Sequence, residues 1–164
     1  MVQGVSDRAP AACEPRQYAL YCKHETGSGK NMTTEEKYAI WLQYAQDDLD
    51  TADAMYAGGR WFYTAYLSQQ ALEKHCKGLY NFYIGDDVPK IHNIRRLLIA
   101  IGKNLSMPIP EEIFKLADVL SGLYLYNRYP DFKERPAMKV DKTRAAALLA
   151  QTKEALKWLL TLKK

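Results

Sequence analysis

The chain has 164 residues, 48% of them hydrophobic, and 23 Lys and Arg against 19 Asp and Glu leave a formal net charge of +4. That is one domain's worth of chain, enough for one sizeable core. No apolar run approaches the roughly 18 residues of a membrane span, the N-terminus lacks the continuous apolar core of a secretory signal, and three cysteines at irregular spacing form no disulfide framework, so a soluble protein of a reducing cytoplasm is expected.

Residues 1–31 hold Gly4, Pro10, Pro15, Gly27 and Gly29 and sustain no period of 2 or 3.6. Apart from a turn or two of helix over 17–23 they read as a disordered extension, or as the product of a misplaced start codon. Cys22 and His24 are metal-ligand types without a second pair, so no metal site is predicted there.

The domain is expected over 32–164. Thr33-Thr34-Glu35-Glu36 supplies hydroxyl caps and first-turn acids. A helix then runs from about Thr34 to Ala57, with Tyr38, Trp41, Leu42, Ala45, Leu49, Ala52, Met55 and Tyr56 on one face. Gly58-Gly59 ends it, and a second helix from about Arg60 to Ile84 folds back on it as an antiparallel hairpin.

That second helix carries the main puzzle. Phe62, Ala65, Tyr66, Leu72, Cys76, Leu79, Tyr80 and Tyr83 fall on one broad face at 100° per residue. Gln69 and Glu73 fall in the middle of it, with Gln70 and Lys77 on its flank. An unsatisfied polar group in such a stripe costs about 1–3 kcal/mol, and a charge more. Partners are therefore expected elsewhere in the chain or in a second copy of it.

Gly85 to Pro89 is a loop. A shorter helix is predicted from Asn93, a good cap, to about Gly102. Pro110 opens a fourth helix, with Glu111 and Glu112 in its first turn, which stops before Arg128. Pro130 biases Tyr129 out of the helical region, and a last helix runs from about Lys142 to Leu162. The expected fold is all-α, an up-and-down bundle of four main helices plus one short one.

Charge is uneven along the chain. Between Thr33 and Ala57 six acids face the single Lys37, whereas from Lys133 to Lys164 nine Lys and Arg face Glu134, Asp141 and Glu154. This is the pattern of two solvated helix faces of opposite sign, or of a basic surface for phosphates.

The chain has no phosphate-binding glycine loop, no dinucleotide fingerprint, no His-Glu-x-x-His, no Cys-x-x-Cys and no paired Glu-x-x-His of a di-iron bundle. No cofactor is called for. The polar candidates are Gln69, Gln70, Glu73, Lys77, His92, Arg95, Arg128, Tyr129 and Asp131. Glu73 and Lys77 can pair at i,i+4, worth about 0.2–0.5 kcal/mol when exposed, so Arg128 or Arg95 is the better expected partner for Glu73. Such a cluster is either a structural network holding the bundle in register or a polar pocket for a nucleotide or phosphate. His92 reads first as a loop-anchoring hydrogen-bonder. Tyr80, Tyr83, Tyr124, Tyr126 and Tyr129 read as core and interface ahead of base-stacking platforms.

Four separated motifs occur in order: Ala45-x-x-Asp48-Leu49-x-x-Ala52, Gln69-Gln70-Ala71-x-Glu73-Lys74-x-x-Lys77-Gly78, His92-x-Ile94-x-x-Leu97, and Tyr126-Asn127-Arg128-Tyr129-Pro130-Asp131. Together they resemble the HEPN domain (higher eukaryotes and prokaryotes nucleotide-binding) from about Thr34 onward. The resemblance implies a helical bundle and, for many members, a homodimer. It also implies one of several roles: an RNA-cleaving toxin, a partner of a small nucleotidyltransferase, or a nucleotide binder that cuts nothing.

The cleaving members carry an Arg followed after four to six residues by a His. Here the matching positions after Arg128 hold Lys133, Glu134 and Arg135. RNA cleavage needs one group to take the 2′-hydroxyl proton and another to protonate the leaving oxygen. The expectation is therefore a non-catalytic, cytoplasmic, homodimeric module for a nucleotide or a nucleotidyltransferase partner. The alternatives are a ribonuclease toxin using Arg128 with His92 or Lys133, and a purely structural dimer module.

Overall fold

The computed structural model describes residues 32–128 and 140–163, with the backbone alone described for 125–128. Three of the five helices described start at a side-chain cap. Helix α1 (Thr34–Ala57) starts at a capping box, in which the Thr33 hydroxyl accepts from the Glu36 amide and the Glu36 carboxylate accepts from the Thr33 amide at 2.8 Å. It ends at Gly58, and Gly59 turns the chain at φ 70°. Helix α2 is Trp61–Tyr83.

Helix α3 (Ile94–Leu105) opens where the Asn93 side chain accepts from the Arg96 amide at 3.0 Å. It runs past Gly102, its expected end, and stops at Ser106 in the left-handed conformation, φ 50°. Gly102 serves a close approach instead, since a Cβ there would meet Ile109 Cγ1 at 3.0 Å. Helix α4 (Glu111–Arg128) includes Arg128 as its last residue, one position beyond the expected stop. Helix α5 (Lys142–Leu160) begins where the Asp141 carboxylate accepts from the Arg144 amide at 2.7 Å.

These helices form an all-α bundle, with no strand among the described residues. Its centre is α2, which packs against all four other helices. This corrects the expectation of a single apolar stripe. Thr64, Ser68, Ala71 and His75 are buried as fully as Ala65, Leu72, Cys76 and Leu79, so α2 has almost no solvent face. Leu97, Leu98 and Ile101 of α3, Leu116 and Leu120 of α4, and Leu156 and Leu159 of α5 close around it. Each such side chain contributes about 1.5–3 kcal/mol by leaving water. The α1–α2 contact is tight because position 78 is glycine: an added Cβ would lie 2.8 Å from Trp41 Cβ. The Cys76 thiol is wholly buried, and burial pushes its ionisation well above the usual range.

Candidate functional site

Glu73 sits in the middle of α2 with 4% of its surface exposed. Its carboxylate is nevertheless fully answered. Gln69 Nε2 donates to Oε2 at 2.7 Å, Lys77 Nζ donates to Oε1 at 2.8 Å, and His92 Nδ1 lies 3.1 Å from Oε1. Gln70 Nε2 in turn donates to Gln69 Oε1. Two of the carboxylate's three donors come from α2 itself, because residues one turn apart share a face. The third comes from the loop just before the Asn93 cap, so the start of α3 is tied to the middle of α2.

A carboxylate only accepts, so His92 Nδ1 carries the proton of this contact, and Nε2 is the ring's remaining polar atom. The His92 side chain is 41% exposed. Its ring centroid lies 4.9 Å from that of Tyr124, and Tyr124 stacks on Tyr66 at 5.7 Å with 12° between planes. The polar cluster thus opens to solvent at one imidazole edge beside a column of aromatic rings.

The expected partner Arg95 is elsewhere. Its guanidinium donates to Asp118 at 2.6 Å and lies over the Phe114 ring at 4.7 Å, in both cases bridging α3 to α4. Position 95 faces α4 and not α2, which one-dimensional spacing does not reveal. Lys77 is the partner instead, and with its side chain 13% exposed it is not a flank residue. Arg128 closes α4, four positions after Tyr124, with only its backbone described. Tyr129, Asp131 and Lys133 lie outside the described residues.

Two further features stand out. Asp48 and Lys74, both in the quoted motifs, pair at 2.6 Å between α1 and α2. Burial nonetheless holds the Asp48 carboxyl above its ordinary value, against the opposing pull of Lys74. His75 is a residue that sequence reasoning passes over. It is 3% exposed, and burial pushes its ionisation down to about 4, so it is neutral. Its Nε2 has no hydrogen-bond partner among the described residues. The available signal is its register, three after Leu72 and four before Leu79.

An apolar groove of about 590 Å³ runs between the start of α4 and the end of α5, lined by Ile113, Leu116, Val119, Ala155 and Trp158. Among the described residues no group of three or more His, Cys, Asp or Glu could hold a metal ion, and no helix is long and apolar enough to cross a membrane.

An all-α bundle with a self-satisfied polar cluster on its central helix is the kind of helical module that the four sequence motifs anticipate. The HEPN domain family model matches residues 38–163, and the chain belongs to that family. Two solved structures share the fold. The protein TT1696 from Thermus thermophilus is 25% identical with a TM-score of 0.68, and ST0689, described as an archaeal HEPN homologue, is 27% identical with a TM-score of 0.62. Each match covers 77% of this chain and 98% of the other. None of the curated proteins matches this chain.

Proposed function

We propose that this HEPN protein binds a nucleotide at the exposed edge of His92, as a cytoplasmic homodimer, without cutting RNA. The observation that carries the reading is the imidazole that Glu73 holds in one orientation beside the Tyr124–Tyr66 column. Its outward Nε2 accepts from a sugar hydroxyl or a base N–H. Lys77 Nζ, with one of its three protons given to Glu73, adds a cation at the same place. Gln69 and Gln70 donate within the cluster, and no histidine follows Arg128 at the ribonuclease spacing. The α4–α5 groove offers the apolar face that a second copy would cover.

Isothermal titration with ATP, other nucleotides and short RNA tests this. The expected result is a saturable heat that His92→Ala removes. No heat with any of them, and no nucleotidyltransferase co-purifying with the chain, would overturn the reading and leave a purely structural dimer module.

One observation favours a second reading. A carboxylate-held imidazole with a free Nε2 is also the arrangement of a general base, with Arg128 and Lys133 as the remaining members of a ribonuclease site. Growth arrest on expression, relieved by His92→Ala and by Arg128→Ala, would support it. Intact cellular RNA after overexpression would dismiss it.

A further inference from the structure

We propose that Tyr38 and Phe82 form a slot for a small quaternary ammonium ion, a place that the chain fills with its own Lys163. The Lys163 ammonium lies 4.7 Å from the centre of the Tyr38 ring and 4.8 Å from that of Phe82. The two ring centres are 5.4 Å apart and the planes are tilted by 54°, so one cation sits over both. Tyr83 stands edge-on to Phe82 at 4.9 Å and backs that wall.

The antiparallel hairpin brings the two rings together, since Tyr38 lies near the start of α1 and Phe82 near the end of α2. Lys163 arrives because the turn after α5 is pinned. Leu162 is buried, and its carbonyl accepts from Tyr83 Oη at 2.8 Å. Tyr38 is 2% exposed as it stands, with one face of its ring under the lysine. Lys163 is itself exposed, so solvent reaches the slot once that long side chain swings away.

The class of ligand follows from what surrounds the ammonium. Ring faces attract a cation through their quadrupole. Among the described residues no carboxylate pairs with Lys163 and no oxygen takes its protons. A primary ammonium has three N–H donors, which ring faces alone do not satisfy. A quaternary ammonium has none, so it gives up fewer hydrogen bonds on leaving water. Lys163 is therefore a stand-in for a better-suited occupant. The slot is separate from the proposed nucleotide site, because Phe82 lies nine residues beyond Glu73, about 14 Å along α2.

The test titrates the full chain with choline, followed by ligand-observed NMR. Its control is the uncharged alcohol in which a tert-butyl group replaces the trimethylammonium. Choline should bind saturably, and the alcohol about tenfold more weakly or not at all. Lys163→Ala vacates the slot at an exposed position and should tighten choline by about tenfold. Phe82→Leu should weaken choline by about tenfold with the helical circular dichroism unchanged, and His92→Ala should leave it unaltered. Should Phe82→Leu fail to fold, the alcohol and Lys163→Ala decide alone. The proposal falls if choline binds neither the parent chain nor Lys163→Ala, or if the alcohol binds equally. It falls too if Lys163→Ala fails to tighten choline, if a folded Phe82→Leu binds as before, or if His92→Ala abolishes binding.

Discussion

Glu73 on α2 holds His92, nineteen residues further on, with Nδ1 at 3.1 Å from one carboxylate oxygen and 3.3 Å from the other. The same carboxylate takes Lys77 and Gln69. A single buried anion therefore fixes the start of α3 against the bundle's central helix.

Glu73→Gln keeps the volume and removes the charge, leaving the Lys77 cation mostly buried without a counter-ion. The expected loss is about 2–3 kcal/mol of unfolding free energy, measured by urea titration. A loss below about 0.5 kcal/mol, the scale of a surface pair, would contradict a central role for this carboxylate.

The Arg95–Asp118 pair has side chains 40% and 52% exposed. Arg95→Ala should therefore cost less than about 1 kcal/mol, cation–π contact included. In a double-mutant cycle, coupling between Arg95 and Glu73 above that size would show that the two communicate after all.

Gly78→Ala sets helix propensity against packing. Alanine is the better helix former by about 1 kcal/mol, yet its Cβ would sit 2.8 Å from Trp41 Cβ and 3.2 Å from Tyr38 Cδ2. A Cβ cannot swing aside as a side-chain tip does, so α1 must shift. Overpacking of this sort costs about 1–3 kcal/mol, and a net fall in melting temperature is expected. A rise would mean that α1 and α2 separate easily.

Stability should fall in mild acid on account of His75. Its imidazole titrates near 6.5 in the unfolded chain and about 4 in the fold. Below pH 6.5 the unfolded state binds a proton that the folded state refuses, so the contribution is fully present above 6.5 and drains away down to about 4. The span corresponds to about 3 kcal/mol. His75→Leu should flatten the stability profile between pH 6.5 and 4. An unchanged slope would show that other groups set it.

How much can be read from the sequence depends on whether the cause is local. The bounds of α1 at Thr34 and Ala57 follow from a capping box and a glycine pair, both short-range features, and they match residue for residue. The end of α3 does not, because Gly102 looks like a stop signal until Ile109 is seen packed against it. Gln69 and Glu73 are recognisable as buried from period alone, and the structure buries both. Their partners are recognisable only as candidates: Lys77 and His92 stand among them, but whether Arg95 or His92 reaches α2 depends on how α3 is rotated against it, which no spacing encodes. Lys77 is undervalued by its spacing because an i,i+4 pair is weak on a surface, and α2 has hardly any surface.

The seclusion of Cys76 makes it a clock. A thiol with no exposed surface, held protonated by its surroundings, reacts with an alkylating reagent only in molecules whose central helix has come apart from its neighbours. In a chain with Cys13 and Cys22 changed to serine, the rate of labelling at this one sulfur would count bundle openings directly. Any compound that binds the folded bundle would reveal itself by slowing the count.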